Sequence, residues 1–186
     1  MLRYAPLLML FACDSGRSAT PPPAPKPPVV VPMPPDRPPP PVAVPVPPDP
    51  HAVMLKFGRT QCLGWCPAYQ IAVHRDGAIE YHGDDFVKTK GDATGKLSPD
   101  QIAELDKLFA TKDVPNKDFT NYDVTDNPSA EFQYASPTGK LISVKHYFGD
   151  THAPPILREV EEGIDRIVKI DTWIGTEAER KKLSGH

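Results

Sequence analysis

The segment CLGWCPAY, residues 62–69, lies between two stretches in which apolar and polar residues alternate. Alternation with a period of two is typical of half-buried β-strands, and it predicts one strand within residues 53–58 and another within residues 69–74. The segment contains both cysteines of the region 51–186 and Trp65, one of the 2 tryptophans of the chain. The geometry of this connection therefore decides how the first two strands meet.

A hairpin follows the second strand, and the positions of the apolar residues decide its loop length. If Arg75-Asp76-Gly77 forms the loop, Val73 lies opposite Ile79 and both side chains point to the same face of the sheet. Such a loop needs a left-handed conformation at its last residue, which glycine adopts without strain. The sequence therefore predicts a hairpin with a bulge at Gly77.

Two further segments are predicted to extend the sheet. The loop that ends in Gly139 places Tyr134 opposite Ile142 by the same parity, which gives a second hairpin. Residues 86–90 predict a fourth strand that is polar enough to lie at an edge.

Two helices are predicted from capping signals and apolar periodicity. Ser98 fits an N-cap, Pro99 a first helical residue, and Gln101 the partner of a capping box. Pro154-Pro155 begins a second helix, which carries an apolar stripe with the spacing of one helix face. The residues of this helix predicted to face solvent are Glu161, Glu162, Asp165 and Arg166.

The order β-β-β-β-α-β-β-α predicts an α+β fold, in which an antiparallel sheet of about six strands carries two helices on one face. We predict that residues 51–175 form this single domain and that Trp173-Ile174 fold back onto its core. Residues 176–186 are predicted to form a frayed, charged tail.

The first residues resemble the signal peptide of bacterial lipoproteins. A short apolar run, far below the roughly 20 residues of a membrane-spanning helix, ends in Leu10-Phe11-Ala12-Cys13, which resembles a lipobox. The resemblance implies removal of residues 1–12 and lipidation of Cys13. The chain would then be anchored in the cell envelope, to the inner or outer membrane, with its domain facing the periplasm or the exterior.

Residues 13–50 are predicted to be a disordered linker that begins with the lipidated cysteine. Seventeen of the 25 prolines lie within residues 21–50, a composition that favours polyproline II. At about 3.1 Å per residue, this linker reaches up to about 90 Å from the membrane.

Cys62 and Cys66 are predicted to form a disulfide. In an extended chain their Cα atoms would be about 13 Å apart, so a bridge needs a turn, which Gly64 permits. The alternative is metal or redox chemistry, because C-x-x-x-C-P resembles the copper-binding motif of Sco-type chaperones. In that alternative a histidine completes a Cu(I) site with the two cysteines, and the candidates are His74, which comes first, His82 and His146.

Other functional classes find little support in the sequence. The net charge is −3 and no basic stripe is present, which argues against nucleic acid as a partner. The motifs H-E-x-x-H and G-x-S-x-G do not occur, so the sequence predicts no catalytic residues and no cofactor.

The cysteine motif and its surroundings resemble an uncharacterised family of bacterial exported domains and lipoproteins. The resemblance rests on the pattern C-x-G-x-C-P-x-Y at 62–69, on Asp76-Gly77, on Thr125-Asp126-x-Pro128 and on Trp173-Ile174. It implies a fold and a compartment, and no catalytic residues.

These observations predict a membrane-anchored lipoprotein whose domain is a non-enzymatic binding or structural module on a proline-rich stalk. Its predicted partners are the membrane, through the N-terminal lipid, and another envelope protein. Leu63, Trp65 and Tyr69 are the residues predicted to contact that protein. The alternative function is a periplasmic copper-binding or thiol-redox protein that uses Cys62 and Cys66 with a histidine.

Overall fold

The structure, a computed structural model, describes residues 49–183. The predicted signal peptide, the lipidated Cys13 and almost all of the predicted linker lie outside the described residues. The described chain contains six strands and four helices in the following order: β1 Val53–Arg59, β2 Tyr69–His74, β3 Ala78–Gly83, β4 Gly91–Lys96, α1 Pro99–Thr111, β5 Ser129–Ala135, β6 Leu141–Tyr147, α2 Ile156–Val168, α3 Asp171–Ile174 and α4 Glu177–Leu183.

The six strands form one antiparallel sheet in the order β4-β3-β2-β1-β5-β6, which confirms the predicted α+β fold. Both hairpins have the predicted register, because Val73 pairs with Ile79 and Tyr134 pairs with Ile142. Gly77 has a φ of 90°, as the predicted loop requires.

Helices α1 and α2 cover one face of the sheet. Leu105 of α1 and Leu157 of α2 pack in the same core as the inward-facing residues of the strands. Along each strand the alternate side chains point away from this core, so the opposite face is polar and open to solvent.

The start of α1 confirms the predicted capping box. Ser98 accepts a hydrogen bond from the Gln101 backbone, and the Gln101 side chain accepts one from the Ser98 backbone. Gln101 Nε2 also donates to the carbonyl of Ile167 at 2.6 Å, which joins α1 to α2. Among the residues described, no helix is long and apolar enough to cross a bilayer.

The fourth strand is not at the predicted position. Residues 86–90 form an irregular segment, in which Phe86 has a φ of 51° and Val87 is buried. The amides of Lys88 and Thr89 donate to the carbonyls of Ile174 and Trp173, so the C-terminal region takes the hydrogen bonds that a strand would need. The fourth strand is instead β4, which follows this segment and pairs with β3.

The C-terminal region contacts the core and contains a further helix. Trp173 stacks on Tyr81 with ring centroids 5.2 Å apart, which confirms that residues 173–174 return to the core. Residues 177–183, which lie within the predicted charged tail, form the helix α4. Thr176 and Glu179 form a capping box at its start, with Glu179 N donating to Thr176 Oγ1 and Thr176 N donating to Glu179 Oε2.

Candidate binding site at one end of the sheet

The connection between β1 and β2 is closed by a disulfide. Cys62 and Cys66 are bonded, and their Cα atoms are 5.6 Å apart, as the predicted turn requires. Gly64 has a φ of 149°, a conformation that residues with a side chain rarely adopt, and its amide donates to the carbonyl of Cys62. The disulfide therefore shapes a short loop that carries Leu63 and Trp65 at its tip.

The structure does not bring the predicted copper ligands together. His74 is the last residue of β2, at the end of the sheet opposite the disulfide, and its Nε2 lies 3.3 Å from Glu80. His82 projects from the open face, 2.5 Å from Asp92, and His146 is buried against Glu161. Both cysteine sulfurs are used by their mutual bond.

Leu63 and Trp65 are exposed, with relative accessibilities of 83% and 40%. The Leu63 amide donates to the carbonyl of Asp126 at 3.4 Å, which connects the disulfide loop to the loop before β5. That second loop carries Tyr122 and Val124, which are also exposed. We call these four residues, Leu63, Trp65, Tyr122 and Val124, the apolar rim.

Tyr69 does not belong to the apolar rim, although the sequence grouped it with Leu63 and Trp65. Its relative accessibility is 0%, because it is the first residue of β2 and points into the core. Its hydroxyl donates to Asp165 Oδ1 at 2.7 Å. Tyr69 therefore has a structural role directly beneath the disulfide loop.

A buried polar network lies behind the apolar rim. Arg59 Nη2 donates to Asp165 Oδ2 at 2.7 Å, and Arg59 Nη1 lies 3.9 Å from Glu161 Oε2. The other oxygen of Glu161 is 2.7 Å from Nδ1 of His146. Together with Tyr69 these residues form the Arg59 network.

The positions of Glu161 and Asp165 correct the predicted solvent face of α2. Glu161 is only 1% exposed, and the Asp165 side chain is mostly covered. Glu161 follows Leu157 by four residues and precedes Ile164 by three, so the helical repeat places it on the buried face. The spacing was visible in the sequence, but the charge of Glu161 argued against burial.

Burial and mutual contact set the protonation of this network. Burial opposes charge on the Arg59 guanidinium, but Asp165, Tyr69 and Glu161 raise its pKa above the usual value. Burial and the charge of Asp165 raise the pKa of Tyr69 well above its ordinary value, so its hydroxyl stays a donor. Burial raises the pKa of Asp165, and the Arg59 guanidinium and the Tyr69 hydroxyl oppose this effect.

A cleft of about 720 Å³ opens beside this network, between the disulfide connection and the C-terminal helices. One side is apolar, formed by Cys66 and by the side chains Pro67, Pro128, Phe148, Ile170 and Ile174. The charged residues around it are Arg59, Glu162, Asp165, Arg166, Asp171 and Arg180. Three guanidinium groups and three carboxylates thus share one cleft.

The sequence was compared with known protein families, curated proteins and solved structures. A family described as a domain of unknown function, DUF6438, matches residues 53–168. The chain belongs to this family. No curated protein and no solved structure matches the chain. The matched part of this DUF6438 domain runs from β1 to the end of α2, so it includes the disulfide loop and the Arg59 network.

Two other surface regions of the DUF6438 domain are rich in polar side chains. The open face of the sheet forms a hollow of about 830 Å³, with outward side chains such as Lys56, Gln70 and Glu131. Asp123, in the loop before β5, and Asp150 and His152, in the loop after β6, each bring a ligand atom within 4.8 Å of the others. The carboxylates of this group already accept hydrogen bonds from backbone amides, which accounts for their arrangement.

Proposed function

We propose that this chain is a lipid-anchored envelope protein whose DUF6438 domain is a non-enzymatic binding module, and that another envelope protein docks on the apolar rim. The observation that carries the proposal is the concentration of exposed apolar side chains at one end of the sheet. Seven large hydrophobic residues are exposed in the described chain, and four of them form the apolar rim. Exposed apolar groups gathered in one region are typical of protein contact sites.

The disulfide loop suits such a contact because it is held in shape before binding. A closed loop loses little conformational freedom on association, and a pre-organised tryptophan is among the side chains that contribute most to interfaces. Lys181 Nζ lies 5.1 Å from the centre of the Trp65 ring, so α4 also supports the position of Trp65.

The described chain begins at the end of the sheet that lies opposite the apolar rim. The carbonyl of Pro50 accepts a hydrogen bond from Asp76, in the turn between β2 and β3, and the carbonyl of Ala52 accepts one from Arg75. This turn lies at the end of β1 opposite the disulfide loop, and the strand between them spans about 20 Å. The described chain therefore enters the sheet at the end opposite the apolar rim.

The lipid anchor is tested on the mature protein by mass spectrometry. We expect cleavage before Cys13, the mass of the acyl chains on that residue, and partition of the protein into the membrane fraction. The Cys13→Ser variant should lose the lipid and appear in the soluble fraction. A mature chain with an unmodified Cys13 would contradict the anchor.

The docking site is tested by chemical cross-linking of the tagged, full-length protein in cells. We expect a discrete cross-linked partner with the wild type, and its loss in the double variant Leu63→Ser/Trp65→Ser. Leu141→Ser is the matched control, since Leu141 is 58% exposed but lies at the opposite end of the sheet. A partner that persists in the double variant, or that is lost equally in the control, contradicts the proposal.

A further inference from the structure

The two outer strands of the sheet differ in how their free edges are treated. The edge of β6 is covered, because the Phe119 amide donates to the carbonyl of Lys145 and the Tyr147 amide donates to the carbonyl of Phe119, both at 2.8 Å. On the same edge, the side chain of Asp118 accepts a hydrogen bond from the Lys145 amide. The backbone of β4 has no such cover, since within residues 49–183 only β3 pairs with it.

The open edge of β4 presents the backbone groups of Asp92, Thr94 and Lys96. Just beyond the strand, the Leu97 amide donates to the carbonyl of Gly77 at the start of β3. Backbone groups of an antiparallel strand point alternately to its two sides. Counted back from Leu97, every second residue faces β3, and the three residues between them face outward. Such a row of unpaired amides and carbonyls is a template for a further strand.

Two common devices that block an edge strand are absent from β4. The strand contains no proline, and its pairing with β3 runs without a bulge from Gly91 to Lys96. A third device is present, because a lysine on an edge discourages pairing with an arbitrary strand. A strand that pairs with β4 therefore has to place an acidic residue opposite Lys96.

β4 itself supplies the acidic residue. Asp92 and Lys96 are exposed on the open face of the sheet, and Thr94 lies midway between them. If a second copy of β4 lies antiparallel with a two-fold axis at Thr94, Asp92 of each copy faces Lys96 of the other. The two threonines then face each other, which is also a favourable cross-strand pair.

The two-fold axis at Thr94 is the one position that satisfies both the backbone and the charges. It sets the outward-facing residues of the two copies against one another, as the hydrogen bonds of an antiparallel pair require. An axis at Asp92 or at Lys96 would place like charges opposite each other, which is destabilising. An axis at Ala93 or at Gly95 would leave neither charge opposite its counterpart. The sequence of β4 is therefore self-complementary in a single register.

The contacts that Asp92 and Lys96 already make leave them available for this pairing. Asp92 is 2.5 Å from Nδ1 of His82, and Nζ of Lys96 is 3.5 Å from Asp76. The two side chains are nevertheless 91% and 62% exposed. Each can therefore contact a second charged group across the edge.

We propose that this domain forms a two-fold dimer in which β4 pairs with β4 of a second copy of the chain. The pairing joins the two six-stranded sheets into one continuous antiparallel sheet. This interface is separate from the apolar rim, which lies on the loop between β1 and β2 and on the loop before β5. Either proposal can therefore fail without the other.

The test is oxidative cross-linking of the full-length protein with one added cysteine, followed by non-reducing electrophoresis and mass spectrometry. Thr94→Cys places the thiol on the two-fold axis, where facing Cα atoms are about 5.5 Å apart, within the range of a disulfide. We expect a covalent dimer from Thr94→Cys. Asp92→Cys should give at most about a tenth as much, because its two copies are separated by about 13 Å along the strands. The wild type measures the background from Cys13.

Charge variants in the Thr94→Cys background identify the strand that pairs with β4. Asp92→Lys places like charges opposite each other at both ends of the interface and should slow cross-linking about tenfold. The protein is kept at a concentration where the dimer is a minor species, so that the rate follows the dimer population. Adding Lys96→Asp makes the charges opposite again and should restore the rate. Glu131→Lys, on the same face but in β5, is the matched control and should have no effect.

The outcomes separate a second copy from other occupants of the edge. Equal cross-linking of Thr94→Cys and Asp92→Cys, or no dimer from Thr94→Cys, overturns the proposal. A failure of Lys96→Asp to rescue Asp92→Lys, or an adduct with a different protein in place of the dimer, also overturns it. The double variant Leu63→Ser/Trp65→Ser should cross-link normally through Thr94→Cys, which separates this result from the test of the apolar rim.

Discussion

The hydroxyl of Tyr69 donates a 2.7 Å hydrogen bond to Asp165 Oδ1, and this contact joins the first residue of β2 to α2. Arg59, the last residue of β1, binds the other oxygen of the same carboxylate at 2.7 Å. Both strand ends that flank the disulfide loop are thus held by one side chain of α2. The position of the loop therefore depends on a buried polar contact as well as on the disulfide.

A related arrangement holds α1 at the opposite end of the sheet. Asp106 of α1 accepts hydrogen bonds from Arg75 at 2.9 Å and from the Tyr134 hydroxyl at 2.7 Å. Each of the two long helices is therefore joined to the sheet through one aspartate that binds an arginine and a tyrosine.

Tyr69→Phe removes one donor to Asp165 and leaves the ring in place. We expect the free energy of unfolding to fall by about 1.5–3 kcal/mol, the range for a hydrogen bond to a charged group. The measurement is urea unfolding at neutral pH. Tyr122→Phe, on an exposed tyrosine, is the control and should change stability by no more than about 0.5 kcal/mol. Equal effects of the two substitutions would refute the role given to the Tyr69 hydroxyl.

Arg59→Met removes the only guanidinium of the Arg59 network. Without Arg59, the carboxylates of Asp165 and Glu161 lose the guanidinium that both contact. Because this leaves buried charge without a partner, we expect the free energy of unfolding to fall by about 3–5 kcal/mol. Adding Asp165→Asn should restore part of this loss, because it removes one of the stranded charges. Arg166→Met, on an exposed arginine, is the control. A loss below about 1 kcal/mol for Arg59→Met would show that the network is not stabilising.

The loop around Asp150 is expected to weaken in acid. Backbone amides of Asn121 and His152 donate to the Asp150 carboxylate and lower its pKa. A carboxyl with a lowered pKa in the folded state stabilises the fold above the unfolded value, near about 3.9, and loses this effect as the pH falls through the folded value. Asp150→Asn should therefore be less stable than the wild type at pH 7, with the difference shrinking below about pH 4.

The measurement is urea unfolding of Asp150→Asn and of the wild type across the acid range. Asp113→Asn is the control, since Asp113 is exposed. A stability difference between Asp150→Asn and the wild type that stays constant down to low pH would argue against this assignment.

Loss of the Cys62–Cys66 bond is expected to cost little stability. The closed loop is short, so chain entropy predicts a loss of only about 2 kcal/mol in the double variant Cys62→Ser/Cys66→Ser. The circular dichroism spectrum should keep the features of the fold, while partner capture through the apolar rim should weaken. Global unfolding of the double variant would show that the disulfide holds more than its own loop.

Local patterns in the sequence were enough to predict much of the fold. The parity of apolar residues around Gly77 and Gly139 gave both hairpin registers, since each register is decided within a few residues of its turn. The capping box at Ser98 gave the start of α1 for the same reason. The turn imposed by Gly64 allowed the disulfide.

Other features depend on contacts between distant residues or were hidden by charge. The strand Gly91–Lys96 has no alternation of large apolar residues that would predict it. It is a strand because its backbone pairs with β3. The capping signal at Thr176 and Glu179 was present in the sequence, but the charged composition of the tail obscured it. The cleft joins Arg59 with Arg180, which no local pattern connects.

The most direct test of the central claim places a photo-reactive amino acid at position 65 of the lipidated protein in living cells. The claim predicts one discrete adduct with an envelope protein after irradiation at position 65. The same amino acid at position 141, the exposed hydrophobic site at the far end of the sheet, should give none. No adduct from position 65, or the same adduct from both positions, would contradict the assignment of the apolar rim as the docking site.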